Sequence, residues 1–310
     1  MNKSSHKRLL SGIVPALPTP LDEMDRVDTR AAQSLTAFLI DKGVNGLFPV
    51  GTTGEMLRLS HSERKAMSEA VIEAADKRVP VYIQITAENT KASLELAKHA
   101  FEAGADGIGV LTPYYFHATE KDIEAYFSEI ARSLPEDFPV YLYNIPQMAG
   151  NFVTTQTAAR LYESHPNIVG IKYSQSDFEQ ALSYRGISPE FSILFGVDLL
   201  FLPSLSVGCN GLISGTGAVY PELFLAIRNQ YHKHKAEQCV ELQQIANQYI
   251  KAANYHGFAG LKEALAHRGV NAGKTRHPER ALEGNDARAL RELLTRLDEK
   301  YMDFIVSMLR

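Results

Sequence analysis

Three polar groups stand where apolar runs of this chain end. Lys172 follows Val169-Gly170-Ile171, Tyr143 follows Val140-Tyr141-Leu142, and the turn Gly51-Thr52-Thr53-Gly54-Glu55 follows Gly46-Leu47-Phe48-Pro49-Val50. A lysine closing an apolar strand is partly desolvated, which disfavours the ammonium and leaves an amine able to attack a ketone and form an imine. A phenol on the adjacent strand can pass a proton to and from the carbinolamine, provided a second hydroxyl relays it. The Gly-Thr-Thr-Gly turn offers free N–H groups and two hydroxyls, a receptor for a carboxylate. Taken singly, each group has a plainer reading: a lysine snorkelling to solvent, a core tyrosine with its hydroxyl at the surface, a helix-capping turn. Taken together they supply a clamp, an amine and a proton relay. That set suits a 2-keto acid, pyruvate or a pyruvate-like fragment, held as a Schiff base on Lys172.

Positioning them requires a scaffold that gathers strand ends at one face. Short β-rich runs recur at Ile13–Leu17, Gly46–Val50, Val79–Ile85, Gly107–Leu111, Val140–Tyr143, Ile168–Lys172, Phe191–Phe195 and Gly211–Ser214. Amphipathic helical stretches separate them, several opening on a cap such as Ser60 or Thr119 and several ending at Gly43, Gly104 or Gly186. Eight strand–helix units in succession predict a (β/α)8 TIM barrel, whose reacting groups sit at the C-terminal strand ends. Helical runs Ala236–Ala253, Phe258–Arg268 and Asp286–Met308 follow, the last with a stripe of Leu290, Leu293, Leu294 and Leu297. The expected organisation is a barrel over 1–233 and a C-terminal helical extension over 234–310 that caps it. The first strand ends in Pro18-Thr19-Pro20 rather than a glycine-rich phosphate turn, which argues against a nucleotide-binding sheet.

Bulk properties exclude other classes. The chain has 310 residues, 45% hydrophobic and 22% charged, with a formal net charge of −4 and no dense basic stripe, so no nucleic-acid partner is expected. No apolar stretch approaches the roughly 18 residues of a membrane span, and the polar, basic start Met1–Arg8 is followed by prolines rather than a signal core, so a cytoplasmic protein is expected. Cys209, in an apolar strand-like run, and Cys239, in a helical one, read as buried thiols in a reducing compartment. The ten histidines show no metal-ligand spacing, and His232 and His234 read as solvated. Asp22, Glu23, Asp25 and Asp28 read as a turn plus a helix N-terminus.

The same motifs carry a family resemblance. Gly51-Thr52-Thr53-Gly54-Glu55, Tyr114-Tyr115, Tyr143-Asn144-Ile145-Pro146 with Gly150, Gly170-Ile171-Lys172 and Gly211-Leu212-Ile213-Ser214 occur in order across essentially the whole chain. As a set they are highly specific, and the chain resembles the dihydrodipicolinate synthase / N-acetylneuraminate lyase family of class I aldolases. The resemblance implies a pyruvate imine on Lys172 with no metal and no organic cofactor. It implies a relay through Tyr143 and Thr52, a carboxylate site at Gly51, Thr52 and Thr53, and main chain at Ile213 lining the imine pocket. Tyr115 matches the tyrosine that reaches a neighbouring subunit's relay, which implies a homotetramer, a dimer of dimers. Asp198, two residues after Gly196, matches a position where sugar-acid members bind hydroxyls. Met148 stands where synthases carry an arginine for the second substrate's carboxylate, and with Met56 and Phe116 it makes that side more apolar. The expected activity is therefore a lyase or aldolase acting on pyruvate or a 2-keto acid, either a keto-deoxy sugar acid or another adduct of pyruvate with an aldehyde. The rival within the same chemistry is 4-hydroxy-tetrahydrodipicolinate synthase, which Met148 disfavours. The rival of another class is a keto-acid-binding sensor without turnover.

Overall fold

In a computed structural model that describes residues 8–309, the β-rich runs form one parallel sheet. Its strands are β1 (Gly12–Pro15), β2 (Tyr82–Gln84), β3 (Gly107–Leu111), β4 (Val140–Asn144), β5 (Ile168–Tyr173), β6 (Ser192–Phe195) and β7 (Gly211–Ser214), ordered β1-β7-β6-β5-β4-β3-β2. The run at 46–50, expected as a full strand, makes only single parallel bridges, Ala16 to Phe48 and Leu47 to Val81. Pro49 has no N–H to continue a ladder, and Val50 turns into the left-handed region at φ +50°. The bridges suffice to close the ring. Phe48 N–H donates to the Pro15 carbonyl at 2.9 Å on one side, and Tyr82 N–H donates to the Leu47 carbonyl at 3.0 Å on the other. The result is the expected (β/α)8 barrel with C-terminal helices.

Apolar side chains fill the barrel, as tight packing of a closed sheet demands. Val14, Phe48, Tyr82, Tyr141, Leu194 and Ile213 form that inner cluster, and the Tyr141 hydroxyl finds Ser192 Oγ at 3.0 Å. The outer face carries a larger cluster shared with the helices. Helix Thr29–Asp41 is capped by Asp28, and helices His61–Ala75 and Glu120–Arg132 open on capping boxes at Ser60 and Thr119. Gly43 and Gly104 close their helices at φ +84° and +86°, whereas Gly186 stays right-handed.

One local irregularity decides where the site faces. Val140 pairs with Ile168 but Tyr141 pairs with Gly170, so Val169 is an extra residue in β5. Unbroken alternation from Ile168, which faces the helices, would turn Lys172 outward with it. The bulge resets the phase, so Val169 and Lys172 both face the barrel interior and Ile171 faces the helices.

The tail forms helices Ala236–Asn254, Gly257–His267 and Gly284–Ser307. Leu290, Leu294 and Leu297 are buried as expected, but Leu293 is 38% exposed and falls outside the stripe. Asn229 and Gln230, on helix Pro221–His232, donate to the Met308 carbonyl at 2.6 and 2.7 Å and fasten the last helix to the barrel. Both cysteines are buried, though Cys209 lies in the turn before β7 rather than in a strand. Among the described residues no helix is long and apolar enough to cross a membrane. The basic start, residues 1–7, lies outside the described residues.

Candidate active site

Lys172 and Tyr143 are register partners at the ends of β5 and β4. Lys172 is 4% exposed, and its Nζ lies 3.8 Å from the centre of the Tyr143 ring and 4.7 Å from that of Phe48. The two rings meet edge to face at 6.3 Å. The amine is thus walled by aromatic surface at the top of the barrel core, pointing inward and away from bulk water. The Tyr143 hydroxyl lies 3.2 Å from Thr52 Oγ1, so the phenol and the second hydroxyl are in hydrogen-bond contact. Phe48 lies outside the set of site residues that the sequence suggests; the only signal for it is its place in the bridging run.

The turn that carries Thr52 is strained and braced. Val50 and Glu55, neither of them glycine, sit at φ +50° and +57° on either side of it. Gly54 is closely packed, since a Cβ would lie 3.0 Å from the Leu17 carbonyl and 3.1 Å from the Val50 backbone, and that backbone would have to give way. A buried ionic group holds the turn down. Glu55 pairs with Lys262 at 2.8 Å and with Arg58 at 2.8 Å, and accepts the Arg276 N–H at 3.0 Å. Burial pushes the Lys262 ammonium downward while Glu55 opposes that shift. This brace is invisible in the sequence because Glu55 and Lys262 lie far apart along the chain.

Arg276 extends the brace to Glu63, donating from NH1 at 2.9 Å and NH2 at 2.7 Å. Those bonds hold the Glu63 carboxyl down at about 2, against an ordinary value of 4.5. A carboxylate whose folded value is depressed contributes stability in full above its unfolded value and loses it as pH falls through the folded one. The latch between Glu63 and the loop bearing Arg276 is therefore complete above about pH 4.5 and weakens toward pH 2. Acid unfolding followed by circular dichroism is expected to lose part of its slope in that window in Glu63→Gln. An unchanged profile would remove Glu63 from the acid response.

Other foreseen residues fall at varied distances from this centre. Thr53 lies beside the end of β7, where a Cβ on Gly215 would be 3.3 Å from its Oγ1. Ile213 lines the barrel interior on β7, and Gly51 is buried against the Phe48 ring. Gly196 leaves room for Ser174, whose Oγ would be 2.1 Å from a Cβ there. The Asp198 carboxylate accepts the Thr216 N–H at 3.1 Å; burial raises its pKa, and hydrogen bonds from Thr216 and Ser214, followed by the charge of Lys172, partly offset this. Met148, 67% exposed, borders a cavity of about 180 Å3 that Thr52, Met56, Leu111 and Tyr114 also line. Phe116 does not line it: at 78% exposure it packs edge to face on Tyr115 at 5.0 Å. Tyr115 is 86% exposed at φ +73°, and among the described residues no hydrogen bond joins it to Tyr143 or Thr52, which meet each other.

Fold and site together define a parallel barrel with a shielded lysine, a phenol and a hydroxyl at its C-terminal mouth. A family model described as the Dihydrodipicolinate synthetase family matches residues 9–297. The chain belongs to that family, whose members include lyases and aldolases. It is 37% identical over 250 residues to a 4-hydroxy-tetrahydrodipicolinate synthase of Agrobacterium fabrum, covering 80% of this chain and 79% of that one. It is 31% identical over 287 residues to an N-acetylneuraminate lyase of Mediterraneibacter gnavus, covering 91% and 90%. Among solved structures, YagE from Escherichia coli K12, a prophage protein of the dihydrodipicolinic acid synthase family in complex with pyruvate, superposes with a TM-score of 0.88. The two share 30% identity over 94% of this chain and 99% of that one.

Proposed function

We propose that this protein is an imine-forming aldolase or related carbon–carbon or carbon–oxygen lyase that holds pyruvate, or another 2-keto acid, on Lys172. The observation that carries this reading is a buried amine 3.8 Å from the ring of a tyrosine whose hydroxyl meets Thr52 at 3.2 Å. The crystallised relative YagE was captured with pyruvate, which supports the choice of keto acid.

In the proposed reaction the Lys172 amine attacks the ketone carbon, and the carbinolamine loses water to give the imine. Tyr143 delivers the proton to the departing hydroxyl, and Thr52 relays protons to and from the phenol. Loss of a methyl proton gives the enamine, whose carbon bonds to the carbonyl carbon of an aldehyde; water then releases the product. Cleavage follows the same steps backwards. The N–H groups and hydroxyls of Gly51, Thr52 and Thr53 hold the carboxylate, and Ile213 and Gly196 shape the imine pocket. The imine itself withdraws electrons from the keto acid, so the scheme draws on no metal or organic cofactor. Tyr115, exposed on a single chain, would complete the relay of a second copy in a homotetramer working in the cytoplasm.

The aldehyde side belongs to the cavity beyond Thr52, walled by Met56, Leu111 and Met148. Asp198, near β6, suits the hydroxyls of a keto-deoxy sugar acid. Synthase activity has the support of the Agrobacterium fabrum relative's name, but Met148 cannot make the bidentate carboxylate contact of an arginine. A coupled assay with aspartate semialdehyde separates the two readings. Borohydride added with pyruvate is expected to fix a pyruvate adduct on the intact protein, read as a mass increase, and pyruvate methyl protons are expected to exchange with deuterium. Adduct without exchange or turnover would favour a sensor; neither adduct nor exchange would end the imine reading.

A further inference from the structure

We infer that Arg58 is a specificity-determining residue that receives a carboxylate at the far end of the aldehyde substrate. This rests on the imine reading of Lys172 and adds the chemical class of the second substrate. Arg58 ends the short 3-10 turn Met56–Arg58, immediately after the braced threonine turn. It borders the cavity that begins at Thr52, its side chain 24% exposed.

The guanidinium is fixed along one side by two carboxylates. NH1 donates to Glu55 at 2.8 Å and to Glu279 at 2.8 Å, which removes most of the rotamer freedom of a long side chain. No acceptor among the described residues bonds to Nε or to NH2. Those two groups present parallel N–H bonds along one edge of a planar fork, the geometry that matches the two oxygens of a carboxylate. The ring of Phe258 lies 5.7 Å from the guanidinium carbon and completes an otherwise apolar wall with Leu57 and Leu111.

Charge around the fork does not forbid an anion. Glu55 and Glu279 are offset by Arg58 itself and by Lys262, 2.8 Å from Glu55, so the four groups cancel formally. A docking carboxylate meets a formally neutral cluster in which Arg58 Nε and NH2 keep their N–H groups free of protein acceptors among the described residues. Met148 offers no guanidinium to the same cavity. Arg58, one helical turn beyond Glu55, thus brings to that cavity the grip that position 148 lacks.

The test compares succinic semialdehyde and glutaric semialdehyde with their primary amides as acceptors for pyruvate, measuring kcat and KM for each aldehyde. The wild-type protein is expected to favour each acid over its amide by at least about tenfold in kcat/KM, the scale of one charge-assisted contact. Arg58→Leu and Arg58→Lys are expected to bring the ratio toward one, mainly through KM for the acid. Arg58→Lys keeps a cation between Glu55 and Glu279 while removing the fork, and it carries the test if melting curves show that Arg58→Leu does not fold. Equal use of acid and amide by the wild type, or an undiminished preference in a folded variant, would overturn the inference. Absence of a borohydride-fixed pyruvate adduct in the wild type would instead sink the reading of Lys172, and the role of Arg58 with it.

Discussion

Lys172→Ala is expected to abolish the pyruvate adduct fixed by borohydride and to lower turnover on the order of 10^6-fold, the scale on which removal of a covalent nucleophile acts. The barrel should survive the change. Nζ of Lys172 rests against the rings of Tyr143 and Phe48 rather than in an ion pair, so its removal strands no buried carboxylate. Asp198, within the field of Lys172, keeps its bond to the Thr216 N–H. Melting temperature and circular dichroism should therefore stay close to wild type while chemistry is lost. Lys262 is the natural control. It is also buried, yet it is paired with Glu55 and donates to the Lys274 carbonyl at 2.8 Å, which leaves its nitrogen engaged. Persistence of the adduct in Lys172→Ala, on Lys262 or any other amine, would be decisive against the assignment.

Lys262→Met is expected to cost about 3–5 kcal/mol of folding stability, the range for breaking a buried pair by removing one partner. Glu55 would keep Arg58 and the Arg276 N–H but lose the cation that shares its dry surroundings. Its left-handed backbone at φ +57° adds local strain that the ionic brace offsets. Loosening that brace should shift Thr52 relative to Tyr143, so activity is expected to fall further than the loss of folded protein explains. Urea midpoints for Lys262→Met, Glu55→Gln and the double variant form a cycle, and the double variant should recover part of the loss. Strict additivity across that cycle would show that the pair is not coupled.

Much of the architecture is legible in the sequence because burial repeats with a regular period. Runs apolar on both faces, each followed by an amphipathic helix, leave few arrangements besides a covered parallel sheet. Lys172, Tyr143 and Thr52 can be grouped because strand ends in such a sheet converge at one mouth. Leu293 and Phe116 depart from expectation for a shared reason. Apolar character suggests contact, yet the structure leaves both exposed. Arg58 and Phe258 carry no signal in the sequence, since a lone arginine or phenylalanine has no local pattern; only a cavity with Thr52 at its edge gives them meaning.

Alternating local propensity is enough by itself to set the order of strands and helices, and it places the C-terminal ends of β1 to β7 to within two residues. Whether Lys172 faces the barrel or the helices is beyond its reach, because period-two alternation carries no phase across an inserted residue. The bulge at Val169 sets that phase through pairing with β4, and a clash explains why Gly170 follows it: a Cβ there would lie 2.0 Å from the Ser192 carbonyl oxygen. Ring closure through two single bridges and the pairing of Glu55 with Lys262 belong likewise to the tertiary structure. Both join segments remote in the chain, and only the packed fold brings such segments within hydrogen-bond range.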